Sequence, residues 1–263
     1  MRGSKTAVWR NALGQEIVFD NYTFFLESID MTGTAGIHTV ESLAMTDGQV
    51  TLDHHLGAKT IPCSFAWKDV KGDRWMQAYL TSLFNPTVSG TLTVYTPEET
   101  YSIDCYPQDF PTFQRDSGVS YVWRWSVDFV ADYPYWRKGT QRTVAVADVP
   151  MEGFNRVLVS RCPFEIAPEI VFPATSVAAI FQLYPTGESS KEIRMREHAD
   201  YAVRVITQDF KVIREDTGAD CSELISATTE LDTIRIRCGK NTVMVSPDNG
   251  VLLSYYNLSM GEV

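Results

Sequence analysis

At 263 residues and a net charge of −10, the chain is too long for one comfortable core and too acidic to hold nucleic acid or anionic lipid by charge. The imbalance is evenly spread: residues 1–150 carry 12 bases against 17 acids and residues 151–263 carry 11 against 16, so neither part offers a basic footprint. Apolar residues at 44% supply ordinary cores, and aromatics at 12%, clustered in strand-like segments, point to a mainly β protein.

Taken in chain order, Met1-Arg2-Gly3-Ser4-Lys5 leads into no apolar signal segment, and the uncharged stretch from Trp75 to Pro97 is too rich in Thr, Ser, Asn, Pro and Gly to span a membrane. The expectation is a soluble, unsecreted chain. Ile61, Cys63, Phe65 and Trp67 recur with a period of two and predict a half-buried strand. A helix follows: Asp73 is the predicted N-cap, Trp75, Tyr79, Leu80, Leu83 and Phe84 fall at helical spacing, and Pro86 ends it because the residue before proline avoids the α region. Thr91–Tyr95 is a β-branched run closed by Pro97, with Glu98-Glu99 in a solvated turn. Tyr101, Ile103 and Cys105 line another apolar face. Tyr121, Trp123, Trp125, Val127 and Phe129 line a third, opposite Arg124, Ser126 and Asp128. One helix on an antiparallel sheet makes an α+β first domain.

From Pro134 to Pro168 the periodicity loosens, interrupted by Arg137, Lys138, Gly139, Pro150, Gly153 and Pro163. The domain junction is therefore expected around residues 140–165, with domains 1–145 and 146–263. The second domain reads as short strands: Ser176–Tyr184, then Tyr201–Thr207, then Ile234, Ile236 and Cys238 opposing Arg235 and Arg237. A turn at Gly239-Lys240-Asn241 leads into Thr242–Ser246, and a turn at Pro247-Asp248-Asn249-Gly250 leads into Val251–Tyr255. Regularly spaced strands of this kind predict a β-sandwich.

No catalytic, cofactor-binding or metal-binding residues are nominated. The chain lacks a G-x-S-x-G elbow, H-E-x-x-H, C-x-x-C, a phosphate-binding Gly-Lys-Ser/Thr and G-x-G-x-x-G. Four histidines occur, His38, His54, His55 and His198; the adjacent pair would project to opposite faces of a strand and makes a poor metal site. The Trp123-Arg124-Trp125 triplet could stack sugars or bases, yet both indoles fall on the apolar face and read as core. Five cysteines without short paired spacing argue against a disulfide framework, and Cys63 and Cys105 suit small buried thiols in a reducing cytosol.

Several segments, in order, resemble one family. They are Trp9-Arg10-Asn11-Ala12-Leu13-Gly14-Gln15-Glu16, Ile29-Asp30-Met31-Thr32-Gly33-Thr34-Ala35-Gly36, Asp47-Gly48, Leu83-Phe84-Asn85-Pro86, Gly90-Thr91-Leu92-Thr93-Val94, Asp109-Phe110-Pro111-Thr112-Phe113 and Phe129-Val130-Ala131-Asp132-Tyr133-Pro134-Tyr135-Trp136. The order resembles the distal tail protein (Dit) family of phages with long non-contractile tails, over about residues 8–138. Where the family commonly ends Asp-Pro-Tyr-Trp, Tyr133 stands between Asp132 and Pro134. Residues 165–263 are similar only in style, through Pro168-Glu169-Ile170 and the hairpin that follows Asp232 and includes Asn249-Gly250.

The resemblance implies a structural tail-tip protein of the virion, assembled in the host cytoplasm from a free phage or a prophage. Its N-terminal domain would close a hexameric ring with copies of itself, and its C-terminal domain would be a galectin-like β-sandwich. The ring would join the tail tube protein to the tail-associated fibre or lysin protein and to receptor-binding proteins. It would pass DNA without binding it, touch no membrane and need no cofactor. Its ring contacts are expected on the first domain's strands and around Phe84-Asn85-Pro86, where packing within the domain and ending the helix is the alternative role of Phe84 and Pro86. A carbohydrate-binding adhesion module and a cell-wall hydrolase are the competing classes.

Overall fold

A computed structural model of the protein describes residues 5–32, 36–42, 49–68, 75–116, 121–153, 155–174, 179–185, 187–197, 199–246 and 250–260, with 36–42 and 49–55 described as backbone only. The Asp73 cap, the Asp47-Gly48 pair, His198 and the 247–249 part of the last turn lie outside the described residues. The chain divides into two compact units, residues 1–138 with 259–263, and residues 139–258. No described helix is long and apolar enough to cross a membrane.

The first unit contains β1 (Thr6–Asn11), β2 (Glu16–Phe19), β3 (Phe24–Ile29), β4 (Gly36–Ser42), β5 (Gln49–Leu56), β6 (Lys59–Lys68), the helix α1 (Trp75–Leu83), β7 (Gly90–Tyr95), β8 (Thr100–Pro107), β9 (Thr112–Arg115), β10 (Val122–Ala131) and the start of β11 (Trp136–Ala145). Its antiparallel ladders run β2-β1-β7-β8 and β9-β10-β6-β3, and β8 meets β10 at Phe129↔Pro107 and Val130↔Tyr106. The period-two residues of both ladders bury into one core: Trp9, Phe19, Leu92 and Ile103 from the first, and Ile61, Phe65, Trp125 and Phe129 from the second. Leu80, Leu83 and Phe84 join it from α1 and its end.

Trp9 links the layers. Its ring centroid lies 4.8 Å from that of Phe129 and 6.3 Å from that of Phe84, and its indole Nε1 donates to the Leu83 carbonyl at 3.2 Å. That carbonyl belongs to the last turn of α1, where no intrahelical donor remains. Asn11, 3% exposed, also reaches it at 3.4 Å and accepts the N–H groups of Leu13 and Gln15, closing the β1–β2 turn over Gly14 at φ +80°. At the other end of the unit, the indole of fully buried Trp136 donates to the Met31 carbonyl at 3.1 Å. The charged Lys59 side chain is buried too, and its Nζ donates to the Met260 carbonyl at 2.6 Å, which returns the C-terminal segment to this unit.

The second unit holds the rest of β11, then β12 (Met151–Glu152), β13 (Asn155–Ser160), β14 (Glu169–Phe172), β15 (Ile180–Pro185), β16 (Lys191–Arg194), β17 (Val203–Ile206), β18 (Lys211–Arg214), β19 (Gly239–Ser246) and β20 (Leu252–Ser259). One ladder runs β18-β17-β14-β20-β11 and a separate sheet runs β12-β13-β19-β15-β16. Ile170, Phe172, Val203, Val205 and Leu253 are buried in the former, and Phe181, Leu183, Ile193 and Val243 in the latter. One apolar face per sheet is what a two-sheet core requires. Fully buried Asn241 staples the start of β19: its amide donates to the Arg237 carbonyl at 2.8 Å and the Gly239 carbonyl at 3.2 Å, and its oxygen accepts the Arg237 N–H at 2.9 Å.

The mainly β architecture with one helix is thus as the sequence predicts, and three local readings are corrected. Gly239-Lys240-Asn241 is the first part of β19 rather than a turn, and Cys238, in the bend just before it, is exposed instead of sharing the buried face of Ile234 and Ile236. Trp75 begins the helix but stays 59% exposed, because α1 buries only Leu80 and Leu83. The stretch from 136 to 145 is a continuous strand; the division between the units falls within it, at Gly139, whose φ is +70°.

Three substitutions test this packing. A Cβ on Gly90 would lie 2.3 Å from the Arg10 carbonyl oxygen and 2.7 Å from the Trp9 ring, so Gly90→Ala is expected to destabilise the first unit by about 3 kcal/mol in urea denaturation. Wild-type stability in that variant would refute the close approach. Trp125 is 2% exposed, and its Nε1 has no hydrogen-bond partner among the described residues, a state that costs roughly 1–3 kcal/mol. Trp125→Phe is therefore expected to cost less than Trp136→Phe, which deletes a made bond; equal losses would contradict the assignment.

Candidate assembly surfaces

Among the described residues, no three His, Cys, Asp or Glu side chains gather where they could hold a metal ion. His38 and His54 lie opposite one another in the β4–β5 hairpin and His55 opposite Ile37, a backbone register that pairs only these two strands. Glu98 and Glu99 sit in the β7–β8 turn, Glu99 lying 3.8 Å from Lys138. Trp123 and Trp125 are packing residues, Trp123 stacked at 5.6 Å on Trp67 and Trp125 within the core. On the opposite side of β10, Arg124 lines a shallow concavity of about 240 Å³ with Ser64, Thr112 and Gln114, and both Glu27 and Asp116 already pair with its guanidinium. That cation is neutralised from within.

The segment around Phe84-Asn85-Pro86 does not offer the expected ring contact through Phe84, which is fully buried among Trp9, Phe65 and Phe129. Asn85 is a local cap, its Oδ1 accepting the Thr87 N–H at 3.0 Å and the Thr87 hydroxyl at 2.9 Å. This aromatic-Asn-Pro signature ends the helix and fills the core.

Exposed apolar side chains instead follow the β1–β2 hairpin. Leu13 at its tip is 71% exposed, Val18 on the outward side of β2 is 43% exposed, and Tyr22 just beyond β2 is 81% exposed. Beside them, Tyr79 of α1 donates its hydroxyl to the Glu16 carbonyl at 3.3 Å, and the exposed Trp75 ring packs edge-on against Tyr79. Strand β2 pairs with β1 alone among the described strands, so one of its edges carries no ladder. An open strand edge flanked by apolar side chains is a ready template for a neighbouring chain. Sequence reading missed this surface because Leu13, Val18 and Tyr22 carry no periodic signal; only the pairing order exposes the edge.

Four of the five thiols are packed inside. Cys63, Cys105, Cys162 and Cys221 are buried and Cys238 is exposed. Burial pushes the Cys63, Cys105 and Cys221 thiols up, away from the reactive thiolate, with Asp104 adding to the effect at Cys105.

Comparison with known proteins gives a single kind of match. No protein-family model and no curated protein sequence matches the chain. Among solved structures, the crystal structure of SPP1 Dit (gp 19.1), described as a paradigm of the hub adsorption apparatus in phages that infect Gram-positive bacteria, superposes with a TM-score of 0.68 at 14% identity, covering 97% of this chain and 99% of that one. The phage P2 baseplate in its activated conformation with calcium matches at TM-score 0.64 and 9% identity, over 98% of this chain and 99% of that one. The same baseplate with strontium matches at 0.62. The chain has the fold of these hub and baseplate proteins over nearly all of its length.

One exposed thiol among five sets a simple expectation for a thiol-reactive chromogenic reagent. The native protein should release one equivalent promptly and the remainder only in denaturant; prompt release of several would place buried cysteines at the surface.

Proposed function

We propose that this chain is a phage distal tail protein whose working parts are surfaces rather than a reactive pocket. The observation that carries the reading is the end-to-end likeness to SPP1 Dit, which spans both units of this chain with almost nothing left over on either side. On this reading six copies close a ring through the first domain, and the second is a galectin-like sandwich that meets partner proteins. The ring joins the tail tube protein to the tail-associated fibre or lysin protein and to receptor-binding proteins at the tip of the virion, after assembly in the host cytoplasm.

Two features of the chain support it. The free edge of β2, with Leu13, Val18 and Tyr22, suits a head-to-tail contact, and a head-to-tail contact repeated about an axis closes into a ring. The charge suits a conduit: each copy carries −10, so a closed ring repels the phosphates of passing DNA and forgoes the counterion release that would hold it.

Negative-stain electron microscopy of the purified chain, alone and with its tail-tube neighbour, tests the proposal. Six-fold rings with a central bore are expected, and Val18→Asp with Tyr22→Ser should abolish them while leaving circular dichroism unchanged. Monomers under both conditions, or rings indifferent to those substitutions, would defeat the ring or its assigned contact respectively.

A further inference from the structure

Most described arginines are already committed. They hold carboxylates, as Arg137 holds Asp104 and Arg204 holds Glu169 and Glu215, or backbone carbonyls, as Arg235 does, or lie over a ring, as Arg115 lies over Trp123. In a chain with 33 acids against 23 bases this is the expected condition of a guanidinium. Among the described residues, Arg142, Arg161 and Arg196 are the arginines whose side chains have no such partner. Two of the three, Arg142 and Arg161, line the same groove in the second unit, about 360 Å³ in volume.

The fold builds this groove from three segments. Thr143 and Ser254 place their hydroxyls 2.8 Å apart on one side of the β11 and β20 strands, so strand alternation sets Arg142, Tyr255 and Asn257 on the other. Arg161 follows β13, where the Cys162 N–H donates to Ser160 Oγ at 3.2 Å and the Cys162 thiol donates to the Leu258 carbonyl at 3.5 Å, fixing the wall that carries Arg161 against β20. Val159, 56% exposed, and Leu258 supply apolar lining. The Tyr255 hydroxyl and the Asn257 amide, like the two guanidinia, make no side-chain hydrogen bond to another described residue. The site therefore presents unused donors around a space large enough for a few residues of another chain.

We propose that this groove docks an acidic–apolar segment of a partner protein, with a carboxylate held by Arg142 and Arg161 and its apolar neighbour laid against Val159 and Leu258. Guanidinium forks match carboxylates two bonds at a time, and the apolar lining adds area that such a pair lacks. A phosphate-rich polymer satisfies the arginines but leaves Val159 uncovered, and the −10 chain repels a polyanion as a whole. The site stands apart from the ring proposal, because ring closure is read by microscopy and groove occupancy by peptide binding, and either can fail alone.

The test uses the intact chain against an array of heptapeptides alternating Asp or Glu with Leu, Val, Ile or Phe, followed by fluorescence anisotropy on the strongest. Saturable, salt-sensitive binding is expected, weakened about tenfold or more in an Arg142→Ala, Arg161→Ala double variant. Arg196→Ala, which removes the remaining uncommitted arginine among the described residues, should bind as the wild type does, and peptides with Lys in place of the acids should not bind. No binding, equal binding by the double variant, or binding of polyphosphate in place of the peptides would overturn the proposal.

Discussion

The bond from the Trp9 indole to the Leu83 carbonyl is the constraint around which the first unit is organised. It joins a strand to the C-terminal turn of α1, the only helix longer than a turn among the described residues, and puts the Trp9 ring between Phe84 and Phe129. Everything adjacent must conform. Gly90 has no side chain because the Arg10 backbone and the Trp9 ring occupy its Cβ position, and Asn11 spends its amide on the same carbonyl and on the turn that leads to β2. The exposed edge of β2 is therefore held in place from the core outward.

The segments that carry the family resemblance are packing and capping devices of this kind. Asp30 accepts the N–H and hydroxyl of Thr32, Asn85 does the same for Thr87, and Trp136 reaches back to Met31. SPP1 Dit shares the fold at 14% identity.

The acidity is distributed and largely answered locally. Hydrogen bonds from Thr32 hold the Asp30 carboxyl below its ordinary range, and bonds from Arg204 and Arg214 do so for Glu215 and Asp216. A carboxylate depressed in the folded state contributes its stability above its unfolded pKa and loses it as pH falls through the folded value, so these pairs favour the fold at neutral pH and weaken it only in acid. Lys59 runs the other way: burial lowers its pKa, and Asp30 opposes that shift. Its ammonium is retained inside because the Met260 carbonyl accepts it.

The mainly β class, the helix around Leu80 and Leu83, the buried faces of β6, β8 and β10, and the structural role of Trp125 were all legible in the sequence. Period-two and period-3.6 apolar spacing is a local property, and burial follows from it. The strand from Trp136 to Ala145 was not legible, since Arg137, Lys138 and Gly139 break the alternation and pairing with β8 and β20 supplies what the pattern lacks. Nor could sequence place Cys238 outside, because the alternation of Ile234 and Ile236 gives way to a bend at 238 before β19 begins. The open edge of β2 and the meeting of Arg142 with Arg161 belong to tertiary structure alone: an edge is defined by the strand that fails to arrive, and a groove by residues that chain distance keeps apart and sheet order brings together.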